Sequence, residues 1–165
     1  MHDPLKELLE WYRDEISAAA MFDDLALGAA DAAGAFKWRT LARLERHVAT
    51  QLEAALAQRG MAALVRAAVT DERPRTDEAN PYLSLTWRGA MERLRPELVG
   101  YVRDFEKAEA RMPADLKALA RFVTAHEQAL LDFVVRELDH DGRGALDPVL
   151  RVLGLSPQHP TAPAP

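Results

Sequence analysis

Apolar residues return every three or four positions through four long stretches of this chain, and the connections between those stretches run short, long, short. A period near 3.6 marks amphipathic helices with one buried face. Helices joined by only a few residues must run back antiparallel to one another. The first stretch follows Asp3, a capping residue, with Pro4 in its first turn. It carries Leu5, Leu8, Leu9, Tyr12, Ile16, Ala19, Phe22 and Ala26 to a stop near Gly28. The second follows Asp31 and runs through Trp38, Leu41, Leu44, Val48, Leu52 and Leu56 to a stop at Gly60. The third is expected to open at Asn80 and Pro81 and to carry Leu85, Met91, Leu94, Leu98, Tyr101, Val102, Phe105 and Met112. Pro96 lies inside it and is expected to bend it, because proline removes a backbone donor and crowds the preceding turn. Pro113 is expected to open the fourth, with Leu116, Leu119, Val123, Leu130, Phe133 and Val134 facing inward.

The long connection begins with a short helix from about Ala62 and continues as a polar crossover containing Pro74. The expected fold is therefore all-α, an antiparallel four-helix bundle over residues 1–153 with one long crossover between two helical hairpins. Near its end "ALDPVLRVLGL" is expected to fold back on the bundle, and residues 154–165 read as a disordered Pro-rich tail. A chain of 165 residues can bury one core of its own. It has no cysteine, which excludes disulfides, thiolate metal ligation and a cysteine nucleophile. The net charge of −5, with Arg scattered evenly among Asp and Glu, argues against nucleic acid or an anionic membrane as partner. No apolar run approaches the roughly 18 residues of a membrane span, and the N-terminus mixes acids with its apolar residues. A cytoplasmic location is the expectation.

The hairpins bring particular side chains level. A turn near residue 30 sets Glu15 opposite Glu45 and Phe22 opposite Trp38, while a turn near residue 112 sets Glu97 opposite Glu127. Each of the four glutamates borders the apolar stripe of its own helix. Such carboxylates ordinarily point to water or pair with Arg; gathered in one layer, they would need protons, cations or a metal ion. His126 precedes Glu127 in "TAHEQALLDFVV", about 100° away around the helix, so only one of the two is expected to face the bundle axis. The run "DHDGRGALDPVL" places Asp139, Asp141 and Gly144 as in a calcium loop, but Arg143 and Leu150 stand where ligands are needed. A helix stop followed by a turn is the expectation there.

The segments "LLEWYRDEISAAAMFDDLA", "KWRTLARLERHV", "YVRDFEKAEARMP" and "AHEQALLDFVVREL" together resemble the four helices of bacterial proteins in the ferritin-like, rubrerythrin-related superfamily. The resemblance covers about residues 4–153. It implies a metal centre built from one Glu on each of two helices and a Glu-x-x-His pair on each of the others. The chain departs from that pattern, because Val48 and Leu130 stand three residues after Glu45 and Glu127, and His47 and His126 sit at other offsets. The candidate metal ligands are thus Glu15, Glu45, Glu97 and Glu127, with His126 beside them. Such a set would suit Fe, Mn or Zn, while an oxygen-activating di-iron centre is not expected. Two functions follow. One is a bundle whose metal chemistry has decayed to an interaction or scaffold role, as a homodimer. The other is a metal-dependent oxidoreductase or metal handler with a carboxylate-rich site.

Overall fold

A computed structural model describes residues 3–71, 80–139 and 142–156 of the chain. These residues form six helices and no strand: α1 (Pro4–Leu27), α2 (Ala32–Gln58), α3 (Ala62–Asp71), α4 (Trp87–Arg111), α5 (Lys117–Asp139) and α6 (Asp147–Val152). None of the helices is long and apolar enough to cross a membrane. The middle of the crossover with Pro74, the tail from residue 157 onward and Asp141 lie outside the described residues.

Side chains fix where the long helices start. The Asp3 carboxylate accepts from the amides of Leu5 and Lys6 at 3.0 and 3.3 Å, and the Asp31 carboxylate accepts from Gly34 at 2.7 Å. Each satisfies donors that a helix N-terminus otherwise leaves unpaired. The start of α4 differs from expectation. Asn80 does not cap it; its side-chain carbonyl accepts from the Tyr82 amide at 3.0 Å and its amide donates to the Met21 carbonyl at 3.3 Å. That arrangement closes a turn against α1, and the helix begins after Thr86, whose hydroxyl takes the Gly89 amide at 3.1 Å. Pro113 likewise starts a turn rather than a helix. Its carbonyl accepts from Leu116 at 3.0 Å, and α5 begins at Lys117.

The stops are also local. At the end of α2 the Met61 amide reaches the Leu56 carbonyl at 3.0 Å and the Gly60 amide reaches Ala57 at 3.1 Å. This closure needs a left-handed residue, and Gly60 supplies it with φ +80°. Within α4 the helix continues unbroken through Pro96, which sits on the exposed side where solvent is available to the carbonyl it leaves unpaired.

α1 packs along α2, and α4 along α5, as the short connections require. α3 bridges α1 and α2, and α6 folds back onto α5 and α2, burying Val149 completely. The apolar interior falls into two clusters. One gathers Phe22, Trp38, Leu41, Met91, Leu94 and Phe133; the other gathers Leu8, Tyr12, Val48, Leu52, Leu116 and Val123. In the first, Phe22 and Trp38 come level as the hairpin register requires and stack with ring centroids 5.6 Å apart, while Trp87 tilts against Trp38 at 4.9 Å.

Trp38 is 4% exposed and touches aromatic rings on both sides. Replacing it with alanine is expected to cost about 3–5 kcal/mol in urea denaturation, from lost transfer energy and the cavity left behind. A loss below about 1 kcal/mol would mean that the neighbouring side chains collapse into the gap instead of leaving a cavity.

Candidate metal centre

The two apolar clusters are separated by polar side chains carried on the same helical stripes. On α1 the buried line runs Leu8, Tyr12, Glu15, Ala19, Phe22; on α2 it runs Trp38, Leu41, Glu45, Val48, Leu52; on α5 it runs Val123, His126, Leu130, Phe133. Steps of three and four keep all of these on one helix face, so the polar residues cannot turn to solvent without carrying the apolar residues with them. Glu15, Glu45 and His126 are 3%, 2% and 0% exposed, and Glu127 at the edge of the α5 stripe is 8% exposed.

These four side chains converge. The Nδ1 of His126 lies 2.6 Å from the Val123 carbonyl, to which it donates, leaving Nε2 directed into the layer. Nε2 stands 3.3 Å from Glu15 Oε2, 3.3 Å from Glu45 Oε2 and 3.9 Å from Glu127 Oε1. One ligand atom each from Glu15, His126 and Glu127 fits within a span of 4.8 Å. Glu45 Oε1, Glu127 Oε2 and His126 Nε2 make no well-aligned hydrogen bond among the described residues. No described Lys or Arg pairs with any of the three carboxylates.

Such crowding shifts proton affinities. Burial pushes the Glu45 carboxyl up to about 8, the adjacent Glu15 adding to the effect and His126 opposing it. Burial likewise lifts Glu127 to about 7, with His126 opposing and Glu45 and Asp14 adding. For His126 burial disfavours the charged ring, yet the Glu15 and Glu45 carboxylates outweigh it and raise its proton affinity well above the ordinary imidazole range. Free of metal, the layer therefore holds protons near neutral pH.

The register expected for α1 and α2 holds, and Glu15 and Glu45 meet across it. Glu97 does not join them. Because Pro113 opens a turn, the connection over residues 112–116 is centred two residues later than expected. The α4 residue level with Glu127 then moves by four, from Glu97 to Tyr101. Glu97 instead accepts a short hydrogen bond from the Tyr82 hydroxyl and lies 3.6 Å from Arg93. His126 also differs from expectation, for it faces the axis together with Glu127. The buried sector of a helix is at least about 100° wide, so neighbouring residues can both reach the interior, one at its centre and one at its edge. His47, half-buried, packs its ring edge-on against Phe122. Sequence reasoning did not single out Glu137, whose buried carboxylate accepts from Lys37 at 2.5 Å and Trp87 Nε1 at 2.9 Å beside Trp38. Its signal was available, since Glu137 continues the His126, Leu130, Phe133 line by four.

The chain matches no protein-family model, no curated protein and no solved structure.

The proton affinities set a pH dependence. Glu45, Glu127 and His126 all bind protons more tightly folded than unfolded. The stability they contribute is full below their unfolded values, near 4.3 for Glu and 6.5 for His, and is lost as pH rises through the folded ones. Metal-stripped protein is expected to lose a few kcal/mol between about pH 5 and about pH 8, read as a falling thermal midpoint. Glu45→Gln, a neutral isostere of the protonated carboxyl, is expected to flatten that slope. A stability that climbs with pH across the same window would contradict the burial of these groups.

Proposed function

We propose that this chain is a metal-binding four-helix bundle of ferritin-like plan whose polar layer takes one divalent transition-metal ion. His126 Nε2, Glu15 and Glu127 would hold it, with Glu45 as the remaining carboxylate. The observation that carries the proposal is the convergence of these donors from three helices into a buried layer where three of their ligand atoms make no well-aligned hydrogen bond among the described residues. The donor set fits. A backbone carbonyl holding Nδ1–H fixes the tautomer that presents an Nε2 lone pair, the arrangement usual for metal-bound histidine. One imidazole and three carboxylates suit Zn, Fe or Mn, and an ion among them would supply Lewis-acid or redox chemistry according to its identity. Because α4 contributes no carboxylate at this level, the arrangement supports a single ion rather than the paired ions of the ferritin-like pattern.

A second reading is supported by the 3.3 Å approach of Nε2 to two carboxylates at once. There a protonated imidazole and a shared carboxyl proton fill the place of the metal, and the bundle serves as an interaction or scaffold protein. Exposed Leu27, Phe36 and Leu83 would offer apolar surface for such contacts, including a homodimer.

Protein purified without chelator and assayed for Fe, Mn and Zn decides between them. The metal reading expects close to one ion per chain and its loss in His126→Leu and in Glu15→Gln/Glu127→Gln. It also expects a raised thermal midpoint on adding metal back, worth about 2.7 kcal/mol at a hundredfold excess over Kd. Protein that stays metal-free and shows no thermal shift with any of the three ions supports the proton-filled scaffold instead.

A further inference from the structure

We infer that the ion enters this layer through the seam between α1 and α4, passing Tyr101 and meeting Glu127 first, an inference that rests on the metal reading above. The other approaches are closed by packing. α1 lies along α2, α4 along α5, and the α2–α5 side is sealed by the fully buried Val48 and Val123 and by the His47–Phe122 ring contact at 5.8 Å. α1 and α4 instead face one another through side chains. Trp11 meets Phe105 at 5.0 Å between ring centroids, Arg111 reaches Glu7, and a groove of about 130 Å³ opens among these residues.

One turn further along this seam stands Tyr101, the α4 residue level with Glu127 and 52% exposed. Glu127 is the outermost of the four polar residues, and its Oε2 has no hydrogen-bond partner although the residue is only 8% exposed. Asp14 is exposed and adjacent to Glu15, and Glu97 lies one turn before Tyr101 on α4. Partial burial raises the proton affinity of the Tyr101 phenol, and the charges of Glu97, Glu127 and Asp14 add to it.

The sequence of events follows from charge and access. The carboxylates of Asp14 and Glu97 add negative charge at the mouth of the seam, which concentrates cations there. An exposed phenol changes rotamer quickly and at little cost, so its motion would widen the seam beside Glu127. The ion then exchanges hydrating water for Glu127, and for His126 and Glu15 behind it.

Binding of Co²⁺ to the metal-free full chain tests the route, because its visible absorption reports occupancy in real time. Asp14→Asn/Glu97→Gln is expected to load about tenfold more slowly at low ionic strength and to reach the same saturated spectrum. Added salt should close that gap, since screening weakens the field that the two carboxylates supply. Asp24→Asn/Glu53→Gln, removing the same charge from exposed positions elsewhere, should load at the unmodified rate. Tyr101→Ala should both load faster and release Co²⁺ faster to a chelator, and it decides the matter should the double variant lose its helical circular dichroism. Unmodified protein that develops no Co²⁺ spectrum overturns the metal reading and the route together. Unmodified protein that binds Co²⁺, with Tyr101→Ala and Asp14→Asn/Glu97→Gln both loading and releasing at its rates, overturns the route alone.

Discussion

Three carboxylates and an imidazole buried in one layer, with no described Lys or Arg to pair the carboxylates, constrain everything around them. An uncompensated ion in such a place costs several kcal/mol, and three negative charges within a few ångströms repel one another besides. The layer can exist only if protons or a cation neutralise it. The protein is therefore required to find the energy of folding elsewhere, in the two apolar clusters on either side. Fully buried Leu8, Leu52 and Leu56 on one side and Leu41, Met91 and Phe133 on the other each add roughly 1.5–3 kcal/mol by leaving water.

The placement of the layer at the junction of the clusters follows from helix geometry. Each of α1, α2 and α5 passes from one cluster to the other at the point where its stripe carries a polar residue. The apolar residues above and below hold those side chains at the axis more firmly than any local contact could. α4 breaks the pattern, presenting Val102 and Tyr101 at this level rather than a carboxylate. That asymmetry leaves three sides of the layer closed by close packing and one side closed by side chains.

How much of this was legible can be followed through single residues. Glu15 meets Glu45, and Phe22 meets Trp38, across a short turn whose far end the Asp31 cap fixes, so that register is legible locally. The same geometry does not fix the partner of Glu127, because Pro113 is compatible with either a helix start or a turn and the choice shifts the level residue on α4 by a full helical turn, from Glu97 to Tyr101. Asn80 misled for a related reason, since its side chain can cap a helix or close a turn and the hydrogen bond to Met21, far away in sequence, selects the turn. His126 and Glu127 are about 100° apart, which separates them only if the buried face is a line. A buried helix presents a sector.

The sequence by itself determined the helical class, the caps of α1 and α2, the antiparallel pairing within each hairpin and the apolar stripes, because these depend on periodicity and on residues within a few positions of one another. The tertiary structure decided the rest: that Glu127 and His126 share the interior, that Tyr101 rather than Glu97 stands opposite them, and that Glu137 is held by Lys37 and Trp87. Those facts depend on the register between α4 and α5 and on how closely each pair of helices approaches. The register between α4 and α5 depends on whether Pro113 opens a turn or a helix and on packing between the helices, and the short connection by itself is compatible with both.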